Sequence, residues 1–194
     1  MMNRTVIQII GLLIAAAALL ASGGCKRNGG TASPAGPAPD ETPSKENRTP
    51  YYRGLIEEYR SILAEDPHNL AAIIALGNAL YDAGQWKGAI QYYERALQID
   101  PHSVDVMTDM GTCYRNLGMP DKAIAIYEQV ISIEPSHQNA LLNLGVAYGQ
   151  DKKDYRRAIS YWDRLLHIAP KHPQADNIKA TLHIYKQALR KQAP

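Results

Sequence analysis

No phenylalanine occurs anywhere in this chain, and tryptophan and cysteine occur only twice each. A core must therefore be built from leucine, isoleucine, alanine and the twelve tyrosines. Two cysteines exclude a disulfide framework. Cys25 follows an apolar run, whereas Cys113 lies inside the part of the chain able to fold. The sequence also lacks a Gly-rich phosphate loop, a nucleophile elbow and a Cys/His ligand cluster, so no catalytic residues, metal ligands or cofactor are expected. No aromatic-interleaved basic groove accompanies the charge, which argues against nucleic acid as a partner.

Charge is scarce in sum but unevenly spread. The formal net charge is +2. Residues 51–151 hold 6 Lys/Arg against 13 Asp/Glu, net −7; residues 152–194 hold 10 against 3, net +7. Such an end-to-end asymmetry suits ordinary solvated helix faces, an anionic partner at the basic end, or a neighbouring copy.

The first 25 residues read as an address rather than as part of the fold. Arg4, an apolar run from Val6 to Ala21 and a small-residue exit give the three-part layout of an export signal. "LLASGGC" resembles a lipoprotein processing site with Cys25 as the lipid-bearing residue, although Ser22 stands where that pattern has Leu. "ASG" at 21–23 would also suit cleavage by the ordinary signal peptidase. Uncleaved, Thr5 to Gly24 is just long enough to span a bilayer as a helix. All but the secreted reading leave the body held at a membrane, facing the periplasmic or extracytoplasmic side. Residues 26–50 follow, with five prolines, three glycines and no Leu, Ile, Val or aromatic residue. They cannot bury enough apolar surface to offset ordering, and form a disordered tether with a reach of roughly 27 Å.

The foldable remainder is periodic. Pro67, Pro101, Pro135 and Pro170 stand at intervals of 34, 34 and 35 residues. Between them Ile73-x2-Leu76-Gly77-x2-Leu80 leads to Ala89-x3-Tyr93, and Met107-x2-Met110-Gly111-x2-Tyr114 leads to Ala123-x3-Tyr127. A third copy runs Leu141-x2-Leu144-Gly145-x2-Tyr148 to Ala158-x3-Trp162, with one extra residue in "GQDKKDY" that a turn between its helices can absorb. Apolar residues at this spacing make one helix face sticky. A glycine repeated mid-helix, each costing about 1 kcal/mol in propensity, predicts a close approach between paired helices. Ala89, Ala123 and Ala158 are expected to answer those glycines, and Gly84 and Gly118 to supply turns. Each proline forces the residue before it out of α geometry and ends the second helix.

This pattern resembles the tetratricopeptide repeat over residues 70–172. The resemblance implies an all-α, right-handed superhelical solenoid of helical hairpins. Its expected parts are an N-terminal half-repeat helix (51–69), three repeats (70–103, 104–137, 138–172) and a C-terminal capping helix (173–194), about eight helices in all. Cys113 occupies the repeat position of Ala79 and Ala147 and is expected in the core. His68, His102 and His137 fall in successive inter-repeat loops, too spread out to converge on a metal.

In this family the first helix of each hairpin lines a concave face. The resemblance then implies a peptide-binding groove of Asn78, Tyr81 and Asp82 from the first repeat. Asp105, Thr108, Asp109, Thr112, Arg115 and Asn116 come from the second, and Asn139, Asn143 and Gln150 from the third. Where a well-known variant grips a peptide carboxylate with basic residues, this chain has Ile74, Asn139 and Asn143, and Asp109 replaces an asparagine. Carboxylate capture is therefore not expected. Amide side chains both donate and accept, which suits an extended backbone. The expected function is a membrane-tethered scaffold that binds a protein or extended peptide. Two alternatives stand beside it: an assembly factor presenting apocytochromes for c-type haem attachment, and a structural lipoprotein that self-assembles through its oppositely charged ends.

Overall fold

The structure, a computed structural model, describes residues 48–192. The apolar N-terminal run, Cys25 and most of the tether lie outside the described residues. Among these, eight α-helices follow one another with no strand: α1 (Arg48–Glu65), α2 (Leu70–Asp82), α3 (Trp86–Ile99), α4 (Val104–Asn116), α5 (Pro120–Ile133), α6 (Gln138–Val146), α7 (Tyr155–Ile168) and α8 (Ala175–Gln192). None of them is long and apolar enough to cross a membrane.

The boundaries follow from local chemistry. Asp100, Glu134 and Ala169, each preceding a proline, leave the helical region with φ between −124° and −134° and ψ between 70° and 90°. Two residues beyond Pro67 and Pro135 a side chain starts the next first helix: Asn69 Oδ1 accepts from the Ala72 N–H at 3.0 Å, and His137 Nδ1 from that of Ala140 at 3.2 Å. His137 is thus not a loop histidine like His68 and His102. It stands one register position later, buried, as a helix cap. Inside the first two hairpins Gly84 and Gly118 both take φ +74°, a conformation any Cβ would strain.

Helices pack on their neighbours in sequence: α2 with α3, α4 with α5 and α6 with α7 as hairpins, joined by α3 to α4 and α5 to α6. α1 lies on α2, and α8 on α7. Nearest-neighbour packing is the signature of a solenoid. Two buried clusters form the core, one around Tyr93 and one around Tyr127 and Trp162, and both reach Leu97 and Tyr114. Cys113 is wholly buried, and burial pushes its thiol up to about 12.

The repeated glycines do mark close approach, and the atoms nearest to each are aromatic. A Cβ on Gly77 would meet the Tyr93 ring at 2.7 Å, and one on Gly111 the Tyr127 ring at 2.5 Å; at Gly145 it would strike the Trp162 indole. The glycine is a notch for the aromatic residue four positions beyond the alanine, because a ring laid flat on a helix needs the space of a missing side chain. The alanines are fully buried in their own right. The extra residue of the third repeat is also taken up differently from a simple turn. α6 continues into a π-helical turn, Ala147–Asp151, and Lys153 takes φ +57° before Asp154 caps α7.

Gly54 offers the converse case. It lies in α1, is exposed, and a Cβ there would meet nothing within 4 Å. Gly54→Ala should raise stability by about 0.5–1 kcal/mol, seen as a melting temperature a few degrees higher in circular dichroism.

Candidate peptide-binding face

The candidate groove residues sit on α2, α4, α6 and the π turn, so the first helices present them, as the repeat register requires. Several are joined to one another or to the second helices. Tyr93 lies over the Gly77 notch and reaches the next residue of α2, where its hydroxyl donates to Asn78 Oδ1 at 2.9 Å. One repeat later Tyr127 crosses the Gly111 notch and its hydroxyl lies 3.0 Å from Thr112 Oγ1. The Thr112 hydroxyl has a single proton, which it gives to the Thr108 carbonyl at 3.0 Å. It therefore accepts from Tyr127, and also from Asn143 Nδ2 at 3.3 Å. That last bond links the second repeat to the third.

A second link is ionic. Arg115 Nε donates to Asp151 Oδ2 at 2.6 Å, and its Nη2 reaches Asp151 Oδ1 and Gln150 Oε1, both at 3.3 Å. The π turn carries Gln150 and Asp151 to this position, so the inserted residue of the third repeat serves the inter-repeat bond. Asp105 receives His137 Nε2 at 3.2 Å. Because His137 Nδ1 accepts a backbone N–H, Nε2 carries the ring proton and donates to the carboxylate.

Burial acts on this network in one direction. It drives the phenols of Tyr93 and Tyr127 well above the ordinary tyrosine range; Asp109 adds to the rise at Tyr93, while the Thr112 bond opposes it at Tyr127. Both stay protonated and donate at any physiological pH. Tyr127→Phe should cost about 1 kcal/mol in thermal unfolding, the usual worth of one neutral hydrogen bond, with helix content unchanged.

Of the remaining candidates, Tyr81, Asp109 and Asn139 are half-buried, and Asp82 and Asn116 are exposed. Thr108 departs from expectation: it is 4% exposed and its hydroxyl turns back to the Val104 carbonyl at 2.7 Å, so it supports α4 rather than facing a ligand. The sequence reading missed Asp151, Tyr93, Tyr127 and His137 as participants. The tyrosines were visible as repeat positions, but only their length, carried through a glycine notch, brings the hydroxyls to this face. Among the described residues no group of three His, Cys, Asp or Glu is placed to hold a metal ion.

A family model described as Tetratricopeptide repeat matches residues 80–127 and 117–182, more than half of the 194 residues. The chain belongs to the tetratricopeptide repeat family. Solved TPR-like structures share the fold. A crystal structure of MamA aligns with TM-score 0.60 and 22% identity over 76% of this chain and 92% of that one. A second MamA structure gives TM-score 0.60 and 21% identity, covering 75% and 84%. The first TPR of Spaghetti (RPAP3), bound to the HSP90 peptide SRMEEVD, gives TM-score 0.57 and 22% identity, covering 64% and 96%. No curated protein matches the chain.

Proposed function

We propose that this TPR chain is a protein–protein interaction scaffold that holds an extended polypeptide along the first-helix face. The observation that carries this reading is the cross-linking of that face. Asn143 to Thr112, and Arg115 to Asp151 and Gln150, tie the second repeat to the third as one pre-ordered polar surface. Pre-ordering removes part of the entropy loss that a binding surface otherwise incurs. The family supports a role without catalysis.

Formal charge narrows the partner: three aspartates, Asp82, Asp105 and Asp109, stand on α2 and α4 with one arginine, Arg115, among the candidate groove residues. The RPAP3 module shows that this fold can hold a peptide as acidic as SRMEEVD. Here Ile74, Asn139 and Asn143 occupy the positions that would have to be basic, which favours a neutral or basic segment. The reading includes a body tethered at a membrane and facing its extracytoplasmic side. That part is supported by the apolar run ending at Cys25 and the Pro-rich stretch after it.

The test uses the full chain as bait in native membrane extract, with partners identified by mass spectrometry, against Asn116→Ala/Asn139→Ala. Those two asparagines lie on the face while the bonds described above stay intact. A partner lost with the double variant supports the groove. A partner retained equally by both variants moves the binding site off this face.

A further inference from the structure

Aligned on their closing prolines, α1, α3, α5 and α7 are the second helices of successive hairpins, and α1 is the odd one. Leu55, Tyr59 and Ile62 of α1 fall where α3 has Ala89, Tyr93 and Ala96, and where α5 has Ala123, Tyr127 and Val130. All six of those residues are at most 1% exposed, buried against the first helix of their own hairpin. Among the described residues no such helix lies on α1, and Leu55, Tyr59 and Ile62 are only half-buried. The face is not simply apolar. Glu58 and Glu65 share it at helical spacing and are exposed, so it reads as leucine, tyrosine and isoleucine edged by carboxylates.

The other end shows the reciprocal feature. α8 follows α7 as a first helix would, burying Ala175, Ile178, Leu182 and Tyr185 against the array. The side where a first helix receives its own second helix carries Lys179, His183, Lys186 and Arg190 at i, i+4, i+7 and i+11, all exposed. Lys179 and Lys186 have only solvent-exposed pairs, with Asp176 at 3.3 Å and Asp163 at 3.2 Å, of the kind that exchange readily.

We propose that copies of this chain stack head to tail, the cationic face of α8 packing antiparallel on the acidic, tyrosine-bearing face of α1 in the next copy. Each junction then supplies a second helix to α8 and a first helix to α1, and the alternation of the solenoid runs on unbroken. Antiparallel alignment sets Lys179 toward Glu65, the middle of α8 toward Glu58 and Tyr59, and Arg190 toward the tyrosine-rich start of α1. Cation–π and charge-assisted contacts would replace the ring-in-notch packing of the internal hairpins. In a single copy the same wet face of α8 caps the array and keeps it soluble. The contact joins unlike surfaces, so it has no reason to stop at two copies. This inference stands apart from the groove reading and uses none of its residues.

The experiment is sedimentation velocity of the full chain in non-ionic detergent, from about 0.02 to about 0.5 M salt. Two charge-reversed variants are run beside it: Glu58→Lys/Glu65→Lys and Lys179→Glu/Lys186→Glu. Stacking predicts a mean mass that climbs with concentration past the dimer at low salt and falls at high salt. It also predicts an association weakened more than about tenfold in either variant alone. An equimolar mixture of the two variants should recover assembly, because every junction again joins opposite charges. A low-salt chain that stays monomeric overturns the proposal. A dimer that saturates and ignores the α8 reversal would also overturn it, in favour of a two-fold α1 contact. So would a mixture that fails to recover.

Discussion

Gly111→Leu should lower stability by about 3 kcal/mol or more, and Gly111→Ala by less. Alanine is the better helix former, so propensity alone would make Gly111→Ala stabilising by about 1 kcal/mol. Packing reverses the sign. The added Cβ would sit 2.5 Å from the Tyr127 ring, which is fully buried and cannot swing aside. Pushing the ring out also strains the Tyr127–Thr112 bond, and with it the Asn143–Thr112 link to the third repeat. Chemical denaturation of the two variants beside Gly54→Ala checks this directly. The same substitution should destabilise at one glycine and stabilise at the other. Equal responses would mean that the notch is not filled as described.

Tyr185→Ala should have an effect of similar size, about 3–5 kcal/mol, concentrated at one end of the molecule. The ring stacks on Tyr155 at 4.4 Å and on Trp162 at 5.8 Å between centroids, and lies where a Cβ on Gly149 would be, at 2.7 Å. Burial pushes its phenol up to about 12. It is the large side chain by which α8 holds to the array. Hydrogen exchange in the variant should speed up across residues 175–192 and leave α2 and α3 protected, since neighbours-only packing lets an end open by itself. Full protection of α8 would mean that Ile178 and Leu182 suffice to hold it.

Much of this architecture was legible in the sequence. Four prolines at a near-constant interval located the ends of the second helices. The recurrence of Gly77, Gly111 and Gly145 in a helical frame signalled close approach before any coordinate was needed. The polar stripe of α8 marked it as an end. What stayed hidden depends on reach rather than on pattern. A repeat position says that Tyr93 and Tyr127 are buried, but not that their hydroxyls reach Asn78 and Thr112 on the first helices. Nothing in "GQDKKDY" reveals that its extra residue becomes a π turn, because the same length could be absorbed in a loop. Thr108 shows the limit from the other side. Its register puts it on the first-helix face, but a β-branched hydroxyl in a helix readily bonds the carbonyl four residues back, and Thr108 does so with Val104.

The burial of Cys113 gives the molecule a clock of its own. A thiol held far from its reactive form, with no exposed surface, cannot be alkylated while its helix stays in place. Every modified Cys113 is therefore the record of one excursion in which the middle of the stack came apart and closed again. Peptide mapping separates it from Cys25, so the rate of that breathing can be timed on the natural chain, with no engineered label.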